Sequence, residues 1–255
     1  MAQLNGKLAL VTGAGSGLGR ACALALSAEG AIIVVTELPG KMELAAETVA
    51  LVEAAGGRAH ALALDVRDLA NITSCVEGAA ALTGRIDILV NNAGVNVRRF
   101  AFDVSEADWD AVIDVNLKGV FFTAQAVGRV MRDQQPTGGS IINMASVMGL
   151  IGYFQRSAYC SSKAAVVNLT RVLAVEWAEL GIRVNAVCPT FVDTPLTRPM
   201  FESQPEFTAD VMKRTLLGRL ATAEEIAAAV VFLAGPGAAM VHGHALAVDG
   251  GWTAI

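Results

Sequence analysis

Short runs rich in Val and Ile, apolar at nearly every position, alternate along the chain with longer stretches whose apolar residues recur every three or four positions. The short runs Leu8–Thr12, Ile32–Thr36, Ala59–Leu64, Ile86–Asn91, Ser140–Asn143, Val184–Cys188 and Ala245–Val248 predict strands. The stretches Leu18–Glu29, Met42–Ala55, Ala70–Thr83, Glu106–Arg132, Ala158–Leu180 and Ala223–Ala234 predict helices. Gly30, Gly56, Gly84 and Gly181 fall just past helix ends, where a left-handed residue is wanted. Strands that are apolar on both faces and separated by helices predict a parallel sheet covered on both sides. With right-handed crossovers the expected fold is α/β: a doubly wound, seven-stranded, Rossmann-type sheet in a single domain spanning residues 1–255.

One stretch breaks the alternation. Pro189–Thr222 reads as a long irregular loop and holds four of the seven prolines, at 189, 195, 199 and 205. Connections this long are usually functional. It follows the C-terminal end of a strand, where open α/β sheets bind ligands, so residues 189–222 are expected to form a substrate loop. Composition agrees with a compact globule, at 54% hydrophobic and 17% charged residues. A net charge of −5, with no Lys/Arg cluster, speaks against nucleic acid as a partner. No apolar run approaches membrane-spanning length, so no membrane is expected either. Met1–Lys7 lacks the basic and apolar blocks of a signal peptide. Cys22, Cys75, Cys160 and Cys188 are scattered, without metal-ligand spacing, which suits a reducing compartment; the expected location is the cytoplasm.

The first predicted strand runs into Thr12-Gly13-Ala14-Gly15-Ser16-Gly17-Leu18-Gly19, and a helix follows. Small residues here let the backbone turn tightly and approach a pyrophosphate, while the amides and dipole of the helix start hold the anion. The spacing is Gly-x-x-x-Gly-x-Gly. The second strand leads into Glu37, eighteen residues beyond Gly19. A carboxylate there accepts hydrogen bonds from adenosine ribose hydroxyls and repels a 2′-phosphate. Ser16 and Leu38, two places where a basic residue would greet that phosphate, are uncharged. NAD is therefore expected, with NADP second.

Tyr159-Cys160-Ser161-Ser162-Lys163 sets a phenol and an ammonium four residues apart on one helix face. Ser146 precedes Tyr159 by thirteen residues, Asn116 sits in the preceding helix, and Asn91-Asn92-Ala93-Gly94 closes the fourth strand. Over its whole length, and with Asp65 after the third strand, the chain resembles the short-chain dehydrogenase/reductase family of about 250 residues. The resemblance implies Tyr159 as general acid/base, Lys163 as the cation that lowers its pKa and holds the nicotinamide ribose, Ser146 on the substrate oxygen, and Asn116 anchoring a proton-relay water. The electrostatics can be argued separately. A phenol ionises near 10, and one cation about 4 Å away supplies roughly 4 kcal/mol at an effective dielectric near 20, enough to bring it toward neutrality.

For the cofactor, the resemblance implies contacts from Gly13, Ser16, Gly17, Leu18, Gly19, Glu37, Leu38, Asp65, Val66, Asn92, Ala93, Gly94, Tyr159, Lys163, Pro189, Thr190, Val192 and Thr194. Asp65 would meet the adenine amino group, and Thr194 the nicotinamide carboxamide. Where the family often has Pro-Gly, this chain has Pro189-Thr190. His242 and His244 have no carboxylate or cysteine company, so no metal is expected.

The loop Gly94-Val95-Asn96-Val97-Arg98-Arg99-Phe100 leaves the same sheet edge. Asn96 offers an amide to hydroxyls, and Arg98 or Arg99 a bidentate partner to a carboxylate. Gln155 and Arg156 add polar character to that rim. This run, with the ending Asp249–Ala254, is similar to gluconate and deoxygluconate dehydrogenases of the family. The expected substrate, bound by Asn96, Arg98, Ser146, Gln155 and Tyr159, is a small polyhydroxy compound: a sugar, sugar acid or polyol. The rival is a 3-oxoacyl thioester reductase whose Leu196, Met200 and Phe201 close over a greasy chain. A catalytically silent nucleotide-binding regulator and a purely structural oligomer are the readings from other classes; an intact Asn116, Ser146, Tyr159 and Lys163 set argues against the first, and nothing in the chain favours the second as the main role. The two long helices hold more apolar positions than one sheet face buries, with Val120, Phe121, Val127, Val167, Leu173 and Trp177 among the candidates for subunit contact. The resemblance implies a homotetramer.

Overall fold

The computed structural model describes residues 2–194 and 197–254. Seven parallel strands form one sheet: β1 (Leu8–Val11), β2 (Ile32–Glu37), β3 (Arg58–Ala63), β4 (Ile88–Asn91), β5 (Gly139–Met144), β6 (Ile182–Pro189) and β7 (Ala245–Val248). Their order across the sheet is β3-β2-β1-β4-β5-β6-β7. The order reverses between β1 and β4, and the crevice at the C-terminal ends of those two strands is where doubly wound sheets take nucleotides. Nine α-helices are described: α1 (Gly17–Ala28), α2 (Met42–Ala54), α3 (Leu69–Ala81), α4 (Glu106–Ile113), α5 (Val120–Asp133), α6 (Ser157–Trp177), α7 (Arg198–Ser203), α8 (Pro205–Arg214) and α9 (Ala223–Ala234).

Period-two alternation distributes each strand between two apolar layers. From β1, Ala9 and Val11 join Cys22 and Leu26 of α1 and Val230 of α9. Leu8 and Leu10 face the other way, onto Val76 of α3, Val127 and Met131 of α5 and Leu173 of α6. Each such Val or Leu contributes about 1.5–3 kcal/mol of burial. β3 and β7 are the edges, and neither is buried throughout.

The structure departs from the periodicity in three places. β4 begins at Ile88, not Ile86, because the Gln134 side-chain amide takes the Ile86 backbone instead: Ile86 N–H donates to Oε1 at 2.9 Å and Nε2 donates to Ile86 O at 3.0 Å. The long Glu106–Arg132 helix is interrupted by a π-helical segment, Asp114–Gly119, between α4 and α5. A Cβ on Gly119 would stand 2.8 Å from Val66 Cγ2 and O, so the helix passes against the loop after β3 only because that residue is glycine. Finally, the stretch expected to be irregular carries α7 and α8. Pro205 opens α8 at a position where its missing N–H costs nothing, so that proline starts a helix instead of breaking one.

The apolar positions proposed for subunit contact are also corrected. Val120, Val127, Val167 and Leu173 are buried in the chain's own core, with Phe121 and Trp177 packed against it. The exposed apolar residues on this side are Val172 and Val175 of α6, Trp109 of α4 and Phe102 before it. Sequence period assigns a helix two faces but not the angle at which each meets the sheet.

Candidate active site

Turn geometry builds the nucleotide end. Gly13 has φ +60°, and a Cβ on it would crowd Ala93 Cα at 3.2 Å. A Cβ on Gly19 would stand 2.9 Å from Ala14 Cα and 2.6 Å from Asn92 Nδ2, so the turn and the end of β4 close on each other only without side chains. Thr12 Oγ1 accepts from Asn92 N and Ala93 N, both at 2.9 Å, and Asn92 Nδ2 donates back to Thr12 O at 2.9 Å. Asn92 is thus a brace between β1 and β4. Ser16 caps α1 in extended conformation without a side-chain cap bond, and no acid stands in the first turn of Gly17, Leu18 and Gly19. The helix start therefore keeps its amides and its positive end for an anion.

Glu37, at the end of β2, lies against this turn: a Cβ on Gly15 would sit 2.7 Å from Glu37 Oε2, while Leu38 N–H donates to Oε1 at 3.0 Å. A cation that the sequence reading passed over stands nearby. Arg20 hydrogen-bonds the Gly15 carbonyl and Thr48 Oγ1, and pairs with Glu47 at 2.9 Å. Asp65 is held well below its ordinary pKa by hydrogen bonds from Arg67, whose Nη2 reaches Oδ2 at 2.6 Å. An adenine amino group would have to share that carboxylate. Val66, beside it, is buried against the π segment.

At the other end of the crevice, Asn116 is fully buried in the π segment, a distortion frequent at functional sites. Its Oδ1 accepts from Val95 N and its Nδ2 donates to Val95 O, both at 2.8 Å; Nδ2 also reaches Ser162 Oγ at 3.3 Å. Gly94 lies between partners here, since a Cβ on it would stand 3.3 Å from Asn116 Oδ1 and 3.7 Å from Lys163 Nζ. Lys163 is buried, donates to Met144 O at 2.7 Å, and sits 5.6 Å from the Tyr159 ring centroid. Ser146 follows β5, and its Oγ accepts from Met148 N at 3.2 Å. The four expected catalytic residues are therefore together.

Their charge balance differs from expectation. Burial raises the Tyr159 phenol above its ordinary value; the Ser146 hydroxyl and then the Arg156 guanidinium oppose it. Burial also pulls Lys163 down to about 8. At the phenol, burial outweighs both Ser146 and Arg156, and Lys163, with Nζ 5.6 Å from the Tyr159 ring centroid, donates to the Met144 carbonyl and not to the phenol oxygen.

Beyond β6, Pro189 ends the strand and Thr190 N–H donates to Val248 O at 3.2 Å. Thr190 Oγ1 is buried without a partner among the described residues, in a small cavity shared with Thr215, Leu217, Val248 and Gly250. Val192 bridges to Ala221, and Thr194 Oγ1 shares a 3.0 Å hydrogen bond with Thr197 Oγ1. Leu196 and the Met200 side chain lie outside the described residues. Phe201 packs with Phe207, Val211 and Trp252 in a separate apolar cluster under α7 and α8, with Tyr153 and Phe191 against it.

On the substrate rim, Asn96 is exposed. Arg98 Nη2 donates to Gln155 Oε1 at 3.4 Å and Gln204 Oε1 at 3.3 Å. Arg99, its side chain 53% exposed, pairs through Nε with Asp108 at 2.9 Å. His242 is a structural residue: Nδ1 accepts from Val184 N and Nε2 meets Ala174 O at 2.8 Å. Sequence reasoning undervalued Arg156 and missed the ring cluster around it; the one signal was its place a helical turn before Tyr159.

Residues 13–253 match the family described as enoyl-(acyl carrier protein) reductase. The chain is 43% identical over 253 residues to D-threitol dehydrogenase of Mycolicibacterium smegmatis, covering 98% of this chain and 94% of that one. It is 39% identical over 249 residues to a 3-oxoacyl-(acyl-carrier-protein) reductase of Thermotoga maritima, covering 98% of each. Among solved structures, gluconate 5-dehydrogenase of Burkholderia cenocepacia in complex with NADP and tartrate superposes with a TM-score of 0.93 at 35% identity, covering all of this chain and 98% of that one. Matches that run end to end, over a sheet of this order and an Asn116, Ser146, Tyr159 and Lys163 cluster, make the chain a member of the short-chain dehydrogenase/reductase family.

Proposed function

We propose that the protein oxidises a secondary alcohol of a small polyhydroxy compound, a sugar acid or polyol, with NAD as the preferred hydride acceptor. The observation that carries this is the convergence of Ser146, Tyr159, Lys163 and Asn116 beside Gly94, at the mouth of a glycine-lined crevice. The nicotinamide, when bound, takes the hydride from the carbinol carbon. The chain's own residues handle the proton. Ser146 Oγ holds the substrate oxygen, Tyr159 accepts the hydroxyl proton, and the Lys163 ammonium stabilises the phenolate that accepts it. Asn116 commits its side chain to Val95 and Ser162. Held in place by these bonds, Asn116 anchors the relay water in this reading.

The residues present fit a dinucleotide: a helix start free of acids, a crevice that Cβ atoms would fill, and Glu37 against the turn. Glu37 is the basis for NAD over NADP, because a 2′-phosphate beside it meets a like charge, and Arg20 is already neutralised by Glu47. The expected result is a wild-type enzyme at least about tenfold better with NAD, and a Glu37→Ala/Leu38→Arg variant whose preference moves toward NADP by about 10²-fold or more. Comparing kcat/KM for the two nucleotides checks it, and a wild-type preference for NADP, the nucleotide bound in the gluconate 5-dehydrogenase, would overturn it.

Assaying nicotinamide reduction against aldonates, neutral alditols and short 3-hydroxyacyl thioesters tests the substrate class. The thioester reading is the second one, favoured by the Tyr153, Phe191, Phe201, Phe207 and Trp252 cluster beside the site. A clear preference for thioesters would replace the first reading. Four cysteines without disulfides suit the cytoplasm. Exposed Val172, Val175, Trp109 and Phe102 support assembly into a homotetramer; sedimentation at micromolar concentration should show no monomer, and a stable monomer would exclude it.

A further inference from the structure

One buried cation close to Tyr159 lowers the phenol yet pairs with no carboxylate among the described residues. Arg156 caps α6, is only 3% exposed, and its carbonyl accepts from Cys160 N at 2.7 Å. Its side chain therefore belongs to the helix face that Tyr159 occupies one turn later. The guanidinium carbon lies 5.2, 5.4 and 5.5 Å from the ring centroids of Tyr153, Phe191 and Phe207. Its one hydrogen bond among the described residues runs from Nη1 to Phe154 O at 3.2 Å.

Other arginines here are satisfied differently. Arg67, Arg85 and Arg219 each hold a carboxylate. Arg183, half-buried, donates to the carbonyls of Ala234, Gly235 and Ala238 at and just after the end of α9. Among the described residues, Arg156 has neither a carboxylate nor a set of carbonyls. Asp210 on α8, in contact with the same rings, is taken by Arg214 and the Tyr153 hydroxyl. A guanidinium keeps donors for a carboxylate when nothing in its own chain uses them.

The backbone around Arg156 is built to hold it. Gln155 is the non-glycine residue with a positive φ among those described, at +59°, a conformation retained only where the surroundings over-determine it. What over-determines it is the loop after β4: Arg99 N donates to Gln155 O at 3.2 Å, and Arg99 bridges Arg156 as a parallel pair. The same loop brings Arg98 to Phe207, with its guanidinium carbon 5.1 Å from that ring centroid. Two guanidinium groups thus flank one ring, and Arg98 adds to the depression of the Arg156 pKa that burial causes.

We infer that Arg156, seconded by Arg98, anchors a carboxylate of the substrate a few carbons from the hydroxyl that Tyr159 deprotonates. The inference rests on the dehydrogenase reading above and narrows its substrate to a hydroxy acid. The planar fork of Arg156 matches a carboxylate bidentately, and the surrounding rings exclude water from the pair.

The test compares gluconate with neutral glucitol as substrates for the wild-type enzyme, Arg156→Met and Arg156→Lys. It adds calorimetric titration of tartrate into each protein–NADH complex. The expected wild type prefers the acid. In Arg156→Met the loss of kcat/KM for the acid exceeds that for glucitol by about 10–100-fold, glucitol falling only as far as the Tyr159 ionisation moves, and tartrate binding weakens by at least about tenfold. Arg156→Lys, which keeps the charge and loses the fork, recovers part of the acid activity. Equal losses on acid and glucitol, or unchanged tartrate binding in Arg156→Met, would overturn the anchor and leave the dehydrogenase reading standing. Absence of NAD-linked turnover with either compound, with tartrate binding still lost in Arg156→Met, would instead overturn the sugar-acid and polyol substrate class proposed above.

Discussion

Tyr159→Phe should abolish alcohol oxidation while leaving nucleotide affinity within a factor of about three. The phenol acts on the substrate proton, and the substitution removes one oxygen from a ring that stays packed on α6. General acid–base catalysis by a positioned side chain contributes about 10²–10⁴ in rate, so the variant should retain under about one per cent of kcat. Loss of a donor that only holds substrate would show in KM as well. Single-turnover absorbance at saturating NAD, with affinity measured separately by fluorescence, distinguishes these cases. A variant keeping several per cent of the wild-type rate would remove Tyr159 from the acid–base role.

Lys163→Met should lose turnover by a similar order and, unlike Tyr159→Phe, also weaken nucleotide binding. In the ligand-free chain the lysine sits at about 8, so the ammonium form predominates at neutral pH and is lost above that. Burial meanwhile holds Tyr159 above its ordinary value. Oxidation requires the phenolate, so kcat/KM rises with pH through the Tyr159 ionisation. A nearby ammonium and an oxidised nicotinamide both favour the phenolate and bring that ionisation down. Removing the ammonium raises the Tyr159 pKa, and the residual oxidation profile should shift to higher pH, with the reductive direction less affected at neutral pH. A Lys163→Met profile superimposable on wild type would mean that the lysine serves binding alone. Arg156, which also lowers Tyr159, would then be the cation to examine.

Most of the proposed catalytic set was placed from the sequence because it is local. Tyr159 and Lys163 share a helix face, and the Thr12–Gly19 turn sits directly between a strand and a helix, so spacing carries the geometry. Glu37 was legible for the same reason, as the end of an apolar run. The substrate rim was not. Arg98 and Arg99 are adjacent and chemically alike, and only the fold sends Arg99 to Asp108, at the start of α4, and Arg98 to Gln155 and Phe207. Arg156 drew little notice because its setting comes from Tyr153, Phe191 and Phe207, residues three to fifty-one positions away whose convergence no local pattern records.

The sequence by itself determined the alternation of strand and helix, the sites of the left-handed glycines at 30, 56, 84 and 181, and the helix that Tyr159 and Lys163 share. Each follows from interactions within a few residues of chain: periodicity, a missing Cβ, a shared helix face. Tertiary structure decided the rest. It broke the helix at Asp114–Gly119, where Gly119 meets Val66 and Asn116 meets Val95. It turned Val120, Val127 and Leu173 inward, away from any partner subunit. It set the ionisation of Tyr159 through burial that no spacing encodes. It also left Arg156 among three rings without a carboxylate of its own, because the cost of a buried charge depends on what folds around it, not on what precedes it in the chain.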